Sequence, residues 1–168
     1  MRVLNVHQRA LPITPQQAAI LIDSLASDHD ELWPKEQWPP MKLELPLKVG
    51  SAGGHGPIAY VVERYEPGRR IAFRFTAPRG FHGQHELELE ARGEDGATLR
   101  HTLRMRTHGL AILSWPIVYR PLHDALIEDA LSRAEAFAGH PAPSPTWSRW
   151  VRVLRWILSR RAGRAAAK

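Results

Sequence analysis

The sequence predicts an α+β fold, with one N-terminal strand, short helical segments, an antiparallel meander and a long helix behind it. Three observations carry this. Apolar and polar residues alternate with period two in successive segments between residues 41 and 107, punctuated by Gly- and Pro-rich turns. Two stretches follow helical spacing, one after Thr14-Pro15 and one from Ser114 to Ala138. No internal repeat occurs in the 168 residues, a length that suits one domain and a short appendage.

Val3 to Leu11 reads as the opening strand. Thr14 is a helix cap and Pro15 fits the first helical position, where its missing donor costs nothing. Ala18, Leu21, Ile22 and Leu25 then mark a helix over residues 15–26. Asp28 to Trp33 is expected to form a second short helix capped by Asp28. Pro34, Pro39 and Pro40 forbid regular structure in the loop that carries Trp33 and Trp38. Leu43, Leu45, Leu47 and Val49 alternate with polar residues and predict a strand, with Pro46 placing it at an edge or bulge. Residues 50–57 read as a turn. Strands follow at Ile58–Tyr65, around Ile71, Phe73 and Phe75, around His85, Leu87 and Leu89, and around Leu99, His101, Leu103 and Met105. That makes six strands. The long helix ends at Gly139 and Pro141. Residues 140–146 read as a Pro-rich linker, and a last helix is expected from Thr146 to about Arg161.

Composition narrows the function classes. There are no cysteines, which removes disulfide scaffolds, thiolate zinc sites and cysteine nucleophiles. Nothing resembles a spanning helix, and Asn5, His7, Gln8 and Arg9 interrupt the N-terminus where a signal peptide needs an apolar run. A cytoplasmic protein is the expectation, with peripheral membrane contact through the tail. The net charge of +6 is unevenly spread. Residues 141–168 hold seven basic side chains (Arg149, Arg152, Arg155, Arg160, Arg161, Arg164, Lys168) and no acidic one. The first 140 residues hold sixteen basic against seventeen acidic.

The order of elements resembles the START-like superfamily, also called SRPBCC or helix-grip proteins. The segments Leu32-Trp33-Pro34, Gly53-Gly54-His55-Gly56-Pro57-Ile58 and Tyr65-Glu66-Pro67-Gly68-Arg69-Arg70 are similar to those of polyketide-cyclase-like members. The resemblance covers residues 1–139, and it departs from the full pattern of seven strands by one. It implies a curved sheet wrapped around the long helix, with an apolar cavity between them. Members include lipid carriers, hormone receptors, polyketide cyclases and ring-hydroxylase subunits, so the fold alone does not choose an activity.

Within that frame, the inward strand faces assign Tyr60, Phe73, Phe75, Leu87, Leu103 and Met105 to the cavity. The long helix adds Trp115, Tyr119 and Leu122, and the Pro-rich loop adds Trp33 and Trp38 at the mouth. A small hydrophobic ligand, lipid-, polyketide- or aromatic-like, is the expected partner. Leucines at odd positions on both strands favour Leu89 opposite Leu99, a register that makes His85 and His101 diagonal neighbours. These two imidazoles suit proton transfer near neutral pH and are the candidate catalytic residues of a cyclase or dehydratase. On the base rate for buried polar groups the first reading is a pair of non-catalytic cavity histidines, each bonded to backbone, water or ligand. A third possibility is a non-catalytic adaptor. No metal site or cofactor is expected, because no H-E-x-x-H pair, G-x-S-x-G elbow or phosphate loop is present and no carboxylate shares the histidine face.

In the tail, Trp147, Trp150, Val151, Leu154, Ile157 and Leu158 share one helix face, with Arg149, Arg152 and Arg155 beside it. That face is expected to leave water for the body of the chain, a second copy or an anionic bilayer. Nucleic acid is disfavoured, since phosphate binding explains the arginines but not the apolar stripe.

Overall fold

The computed structural model describes residues 1–140 and 146–166, without the side chains of the last six. Strand β1 (Arg2–Leu11) leads into two four-residue helices, α1 (Pro15–Ala18) and α2 (Ile20–Asp23). Six more strands follow: β2 (Lys42–Leu43), β3 (Ala52–His55), β4 (Ile58–Glu66), β5 (Arg70–Ala77), β6 (Phe81–Ala91) and β7 (Ala97–Thr107). All are antiparallel, in the order β1-β7-β6-β5-β4-β3-β2. A continuous helical segment of 27 residues then crosses the sheet. It comprises α3 (Ala111–Ser114), a π-helical turn (Trp115–Tyr119) and α4 (Arg120–Phe137). Helix α5 (Arg149–Ala166) closes the chain. The α+β helix-grip architecture is the one expected.

Several elements differ from the sequence reading. The expected strand over 41–49 is regular only at Lys42–Leu43, and the expected turn at 50–57 contains strand β3. This is the seventh strand. Gly53 and Gly54 account for it: a Cβ on Gly53 would lie 2.0 Å from the Lys42 carbonyl oxygen, and one on Gly54 would lie 2.1 Å from that of Ile58. The two glycines let three backbones approach closely, so they mark strand packing and not a loop.

The capping box at Thr14 is formed, with Gln17 N–H donating to Thr14 Oγ1 and Thr14 N–H to Gln17 Oε1. Yet the helix expected over 15–26 is two short pieces ending at Asp23. The helix expected over 28–33 does not form. The Asp30 carboxylate instead accepts from the N–H groups of Ala26, Leu32 and Trp33, holding an irregular loop whose own donors it satisfies. Arg133 on α4 ties that loop down through the carbonyls of Asp30 and Glu31 and through Glu36.

The long helix contains a π-helical turn because of its prolines. Pro121 has no N–H to offer the Ile117 carbonyl, and Arg120 N–H reaches back to Trp115. The orphaned Ile117 carbonyl accepts the Trp150 indole N–H of α5 at 2.7 Å. The tail helix starts at Arg149, three residues later than expected, with Ser148 Oγ accepting from Val151 N–H. The linker expected over 140–146 lies, except for its two ends, outside the described residues, as does Lys168.

One core runs between the inner sheet face and α4, through Leu21, Leu32, Phe73, Leu99, Ile127 and Leu131, and takes in Val151 of α5. A smaller one gathers Phe75, Phe81, Leu103, Met105 and Trp115. Register is as expected from the leucines, with Leu89 opposite Leu99 and His85 opposite Leu103. Across the hairpin Arg100 pairs with Glu90, while Glu86 and Glu88 face Arg70 of β5.

Buried Asp129 on α4 joins three parts of the fold. Its Oδ2 accepts from the indoles of Trp38 at 2.7 Å and Trp147 at 2.8 Å. The Arg155 guanidinium lies 3.5 Å from the Trp147 ring centroid and 4.4 Å from that of Trp38. Asp129→Ala would strand two indole donors and is expected to cost about 3 kcal/mol in urea unfolding, Asp129→Asn less. Trypsin should then release α5 at Arg149 or Arg152 before the body is cut. Unchanged stability and cleavage order would show that the carboxylate does not anchor the arm.

The β1–α4 seam is polar. His7 Nδ1 lies 2.7 Å from Glu128 and its Nε2 3.3 Å from Asp124, while Arg9 bonds Glu128. The hydrogen bond to Asp124, partly offset by burial and joined by that to Glu128, raises the His7 pKa above 6.5. A raised value means that the seam contributes fully below about pH 6.5 and weakens as pH rises through the folded value. The stability difference between the wild type and His7→Gln should therefore be about 1 kcal/mol near pH 6 and shrink by about pH 8.5. A difference that grows with pH would reverse the assignment.

Candidate functional site

The inner face of the sheet curves away from α4 at one end and leaves a cavity of about 290 Å³. Its size approaches the lower range of small-molecule sites, and its walls are mostly apolar. Strands β5 to β7 supply Phe75, Phe81, His85, Leu87, His101 and Leu103. The helical segment supplies Trp115, Val118, Tyr119, Leu122, His123, Leu126 and Ile127. Trp33, Trp38, Pro39 and Met41 come from the irregular loop, and His55, Gly56, Pro57 and Ile58 from the β3–β4 hairpin. Leu158 of α5 also reaches the cavity.

Ten of the thirteen residues assigned to a cavity from sequence line this one. Tyr60, Phe73 and Met105 do not. Tyr60 and Phe73 are fully buried behind His85, with ring centroids 5.2 and 5.0 Å from it. Period two tells which face a strand residue points to, but not whether a neighbour stands between it and open space. Met105 sits in the smaller core beyond the cavity end.

His85 and His101 project from adjacent strands. His101 Nε2 lies 3.5 Å from His85 Nδ1, and both rings are buried. Their remaining nitrogens, His85 Nε2 and His101 Nδ1, have no protein partner. His123 stands over His101 from α4, with ring centroids 5.0 Å apart. Its Nδ1 is 3.2 Å from Asp124 Oδ1, and its Nε2 is buried without a partner. Burial pushes the pKa values of His85, His101 and His123 below 6.5, the neighbouring Asp124 offsetting part of the effect at His123. These three imidazoles are neutral at pH 7. Burial also pushes His55 down to about 3, while its Nδ1 meets Tyr60 Oη at 3.2 Å and its ring packs on Trp33.

His55 and His123 were not singled out from sequence. His55 was hidden in a glycine-rich run read as a turn. His123 belongs to a helix whose face toward the sheet was traced through its apolar residues alone. Strand alternation puts no carboxylate on the face of His85 and His101, and Asp124 arrives beside His123 from α4. Burial raises the Asp124 pKa, but hydrogen bonds from His123, His7 and Asn5 outweigh it and keep the carboxyl below its usual range. Ligand atoms of His7, His123 and Asp124 lie within 4.8 Å of one another, the one such cluster among the described residues with metal-ligand chemistry. Its donors already serve one another, and Arg120 approaches Asp124 at 3.6 Å.

On α5, Val151 and Leu154 are buried and Trp147 is half-buried. Arg149 and Arg152 are exposed, Arg155 also bonds the Gln37 carbonyl, and Trp150 and Ile157 stay 46% and 36% exposed. The stripe read from sequence is therefore only partly covered by the body.

No protein-family model matches the chain, and no curated protein matches its sequence. Solved structures do match. CalU16 from Micromonospora echinospora is 17% identical, with 95% of this chain and 96% of that one covered and a TM-score of 0.59. A Thermobifida fusca protein superposes with a TM-score of 0.64 at 13% identity, over 84% of this chain and 99% of its own. Norcoclaurine synthase from Thalictrum flavum, in complex with dopamine and hydroxybenzaldehyde, gives 0.60 at 12% identity, over 85% and 90%. At such identities the likeness is one of fold. Among the described residues no helix is long and apolar enough to cross a membrane. Strand order, the long helix laid across a curved sheet and these neighbours together show that the chain has the helix-grip fold, the fold of START-like, or SRPBCC, proteins.

Proposed function

We propose that this protein binds a small hydrophobic molecule between its sheet and its long helix. The observation that carries the reading is the cavity of about 290 Å³, walled by Trp33, Trp38, Phe75, Leu103, Trp115 and Leu126. A dry apolar cavity of about half that size suffices for benzene, so two fused rings or a short lipid segment fit. A fold neighbour solved with two small aromatic molecules supports the ligand class. An adaptor with a solid core has no use for such a space. The neutral fluorophore N-phenyl-1-naphthylamine should bind the full chain and brighten. Leu103→Trp, which fills the cavity, should weaken binding at least tenfold while the unfolding transition stays cooperative. No binding by the wild type, with no small molecule retained in native mass spectrometry, would overturn the reading.

The acid–base alternative, a cyclase or dehydratase, draws support from His85, His101 and the Asp124–His123 pair, imidazoles that burial keeps neutral and so with a lone pair free for a proton, although the same burial makes each a weaker base.

The arm supports a second partner. Trp150, Val153 and Trp156 stay 46%, 45% and 53% exposed on α5, and Ile117 of the π turn beside them is 52% exposed. Arg149, Arg152 and Arg160 surround this surface with no acidic residue in the arm. Tryptophan with arginine at an apolar face suits an anionic bilayer. Flotation with phosphatidylserine-containing vesicles should retain the full chain at low salt, lose it at high salt and lose it in Trp150→Ser/Trp156→Ser. No flotation, with a dimer that the double variant dissolves, would assign the surface to self-association instead.

A further inference from the structure

The segment that opens the long helix, Leu110 to Tyr119, reads Leu-Ala-Ile-Leu-Ser-Trp-Pro-Ile-Val-Tyr and holds no charged residue. A helix that is apolar all round is normally covered all round. Here the cover is on one side. Ala111 and Trp115 are buried, Trp115 against Phe81 of β6, and Trp115, Val118 and Tyr119 line the cavity. The other side carries Leu110 at 85% exposure, Leu113 at 63%, Ile117 at 52% and Ile112 at 43%. Trp150 of α5 meets this side at the Ile117 carbonyl and continues it.

The surroundings of this face are basic. Thr107, the last residue of β7, exchanges backbone hydrogen bonds with Met1, and His108 N–H donates to the Gly80 carbonyl. A Cβ on Gly80 would lie 2.9 Å from that of Ala111, so the β5–β6 turn abuts the start of α3. These contacts bring Arg2, Arg79 and Arg106 to the same end of the sheet, all three exposed. Arg149 and Arg152 of the arm are exposed as well. No acidic residue occurs in residues 1–22, 67–85, 96–123 or 141–168, the stretches that build this end and the arm. The next carboxylate along the helix, Asp124, is engaged by His7, His123 and Asn5.

The charge decides between occupants. An isologous contact with a second copy sets the same patch against itself, arginine facing arginine with no carboxylate to answer. An anionic bilayer answers both features, since acyl chains take the apolar side chains and headgroup phosphates take the arginines. We propose that the end of the body formed by Leu110–Ile117 and the β5–β6 turn docks on an anionic bilayer, as a second element beside the arm. The choice of a bilayer rests on the reading of α5 above; the docking element is a different one. Because the inner side of the same segment lines the cavity, docking sets the ligand space about one helix diameter, roughly 10 Å, from the membrane.

The chain has no cysteine, so one introduced thiol places one fluorophore. With phosphatidylserine-containing vesicles, a nitrobenzoxadiazole label on Leu113→Cys should brighten and shift to the blue. The same label on Phe137→Cys, an exposed site about 35 Å along the helix, should stay unchanged. Leu110→Ser/Leu113→Ser, at positions that pack against nothing, should keep the wild-type unfolding transition and weaken vesicle binding about tenfold. If that variant binds like the wild type and the label at 113 stays in water, while Trp150→Ser/Trp156→Ser loses binding, this proposal falls and the arm reading stands. Loss with the leucine pair but not with the tryptophan pair would support the body element and overturn the arm reading. A wild type that binds no vesicles overturns both, and a label at 113 that brightens in a dimer without lipid assigns this face to a second copy.

Discussion

A single buried carboxylate, Asp129, holds together parts of this chain that lie far apart in sequence. Its Oδ2 accepts from Trp38 of the irregular loop and Trp147 of the arm, while the residue itself sits on the long helix. A carboxylate taken out of water requires compensation, and here two indole donors provide it, with the Arg155 guanidinium stacked on both rings. The mouth of the cavity is thereby built on one acceptor. Trp38 cannot line the cavity, nor Leu158 reach it, unless loop and arm are both held at α4.

A second constraint comes from proline. Pro121 removes the donor that an α-helix would give to Ile117, the local backbone widens into a π turn, and the freed carbonyl becomes the anchor for Trp150. The same distortion sets Trp115, Val118 and Tyr119 along the cavity wall. A helix irregularity, an arm contact and a ligand surface are three consequences of one missing N–H. Such π segments are often found at functional sites, and here the reason is geometric.

The electrostatic division of the interior follows from depth. At the β1–α4 seam, water and the carboxylates of Asp124 and Glu128 favour a charged His7. A few ångströms further in, burial favours neutral His85, His101 and His123. The Asp124 carboxylate stands at the border, serving His7 on one side and His123 on the other. Imidazoles pushed in opposite directions are thus separated by one side chain, and the cavity side keeps hydrogen-bonding groups that burial holds neutral.

The strands from Ile58 to Thr107, their register and the long helix were legible in the sequence, because alternation and helical periodicity record which face of an element is buried. The leucines at 87, 89, 99 and 103 sufficed to make His85 and His101 neighbours. The arm's helix was legible for the same reason, but not its seat on Asp129 and Ile117. Strand β3 was not legible, since Gly53 and Gly54 have no side chains to alternate and read as a turn. Nor was the Asp30 loop, where side-chain acceptance of backbone donors displaces a helix. His55 and His123 join the site only through packing of β3 and α4 against the central strands. Periodicity carries the direction in which a residue points; what it meets there depends on distances between elements remote in the chain, which only the tertiary structure decides.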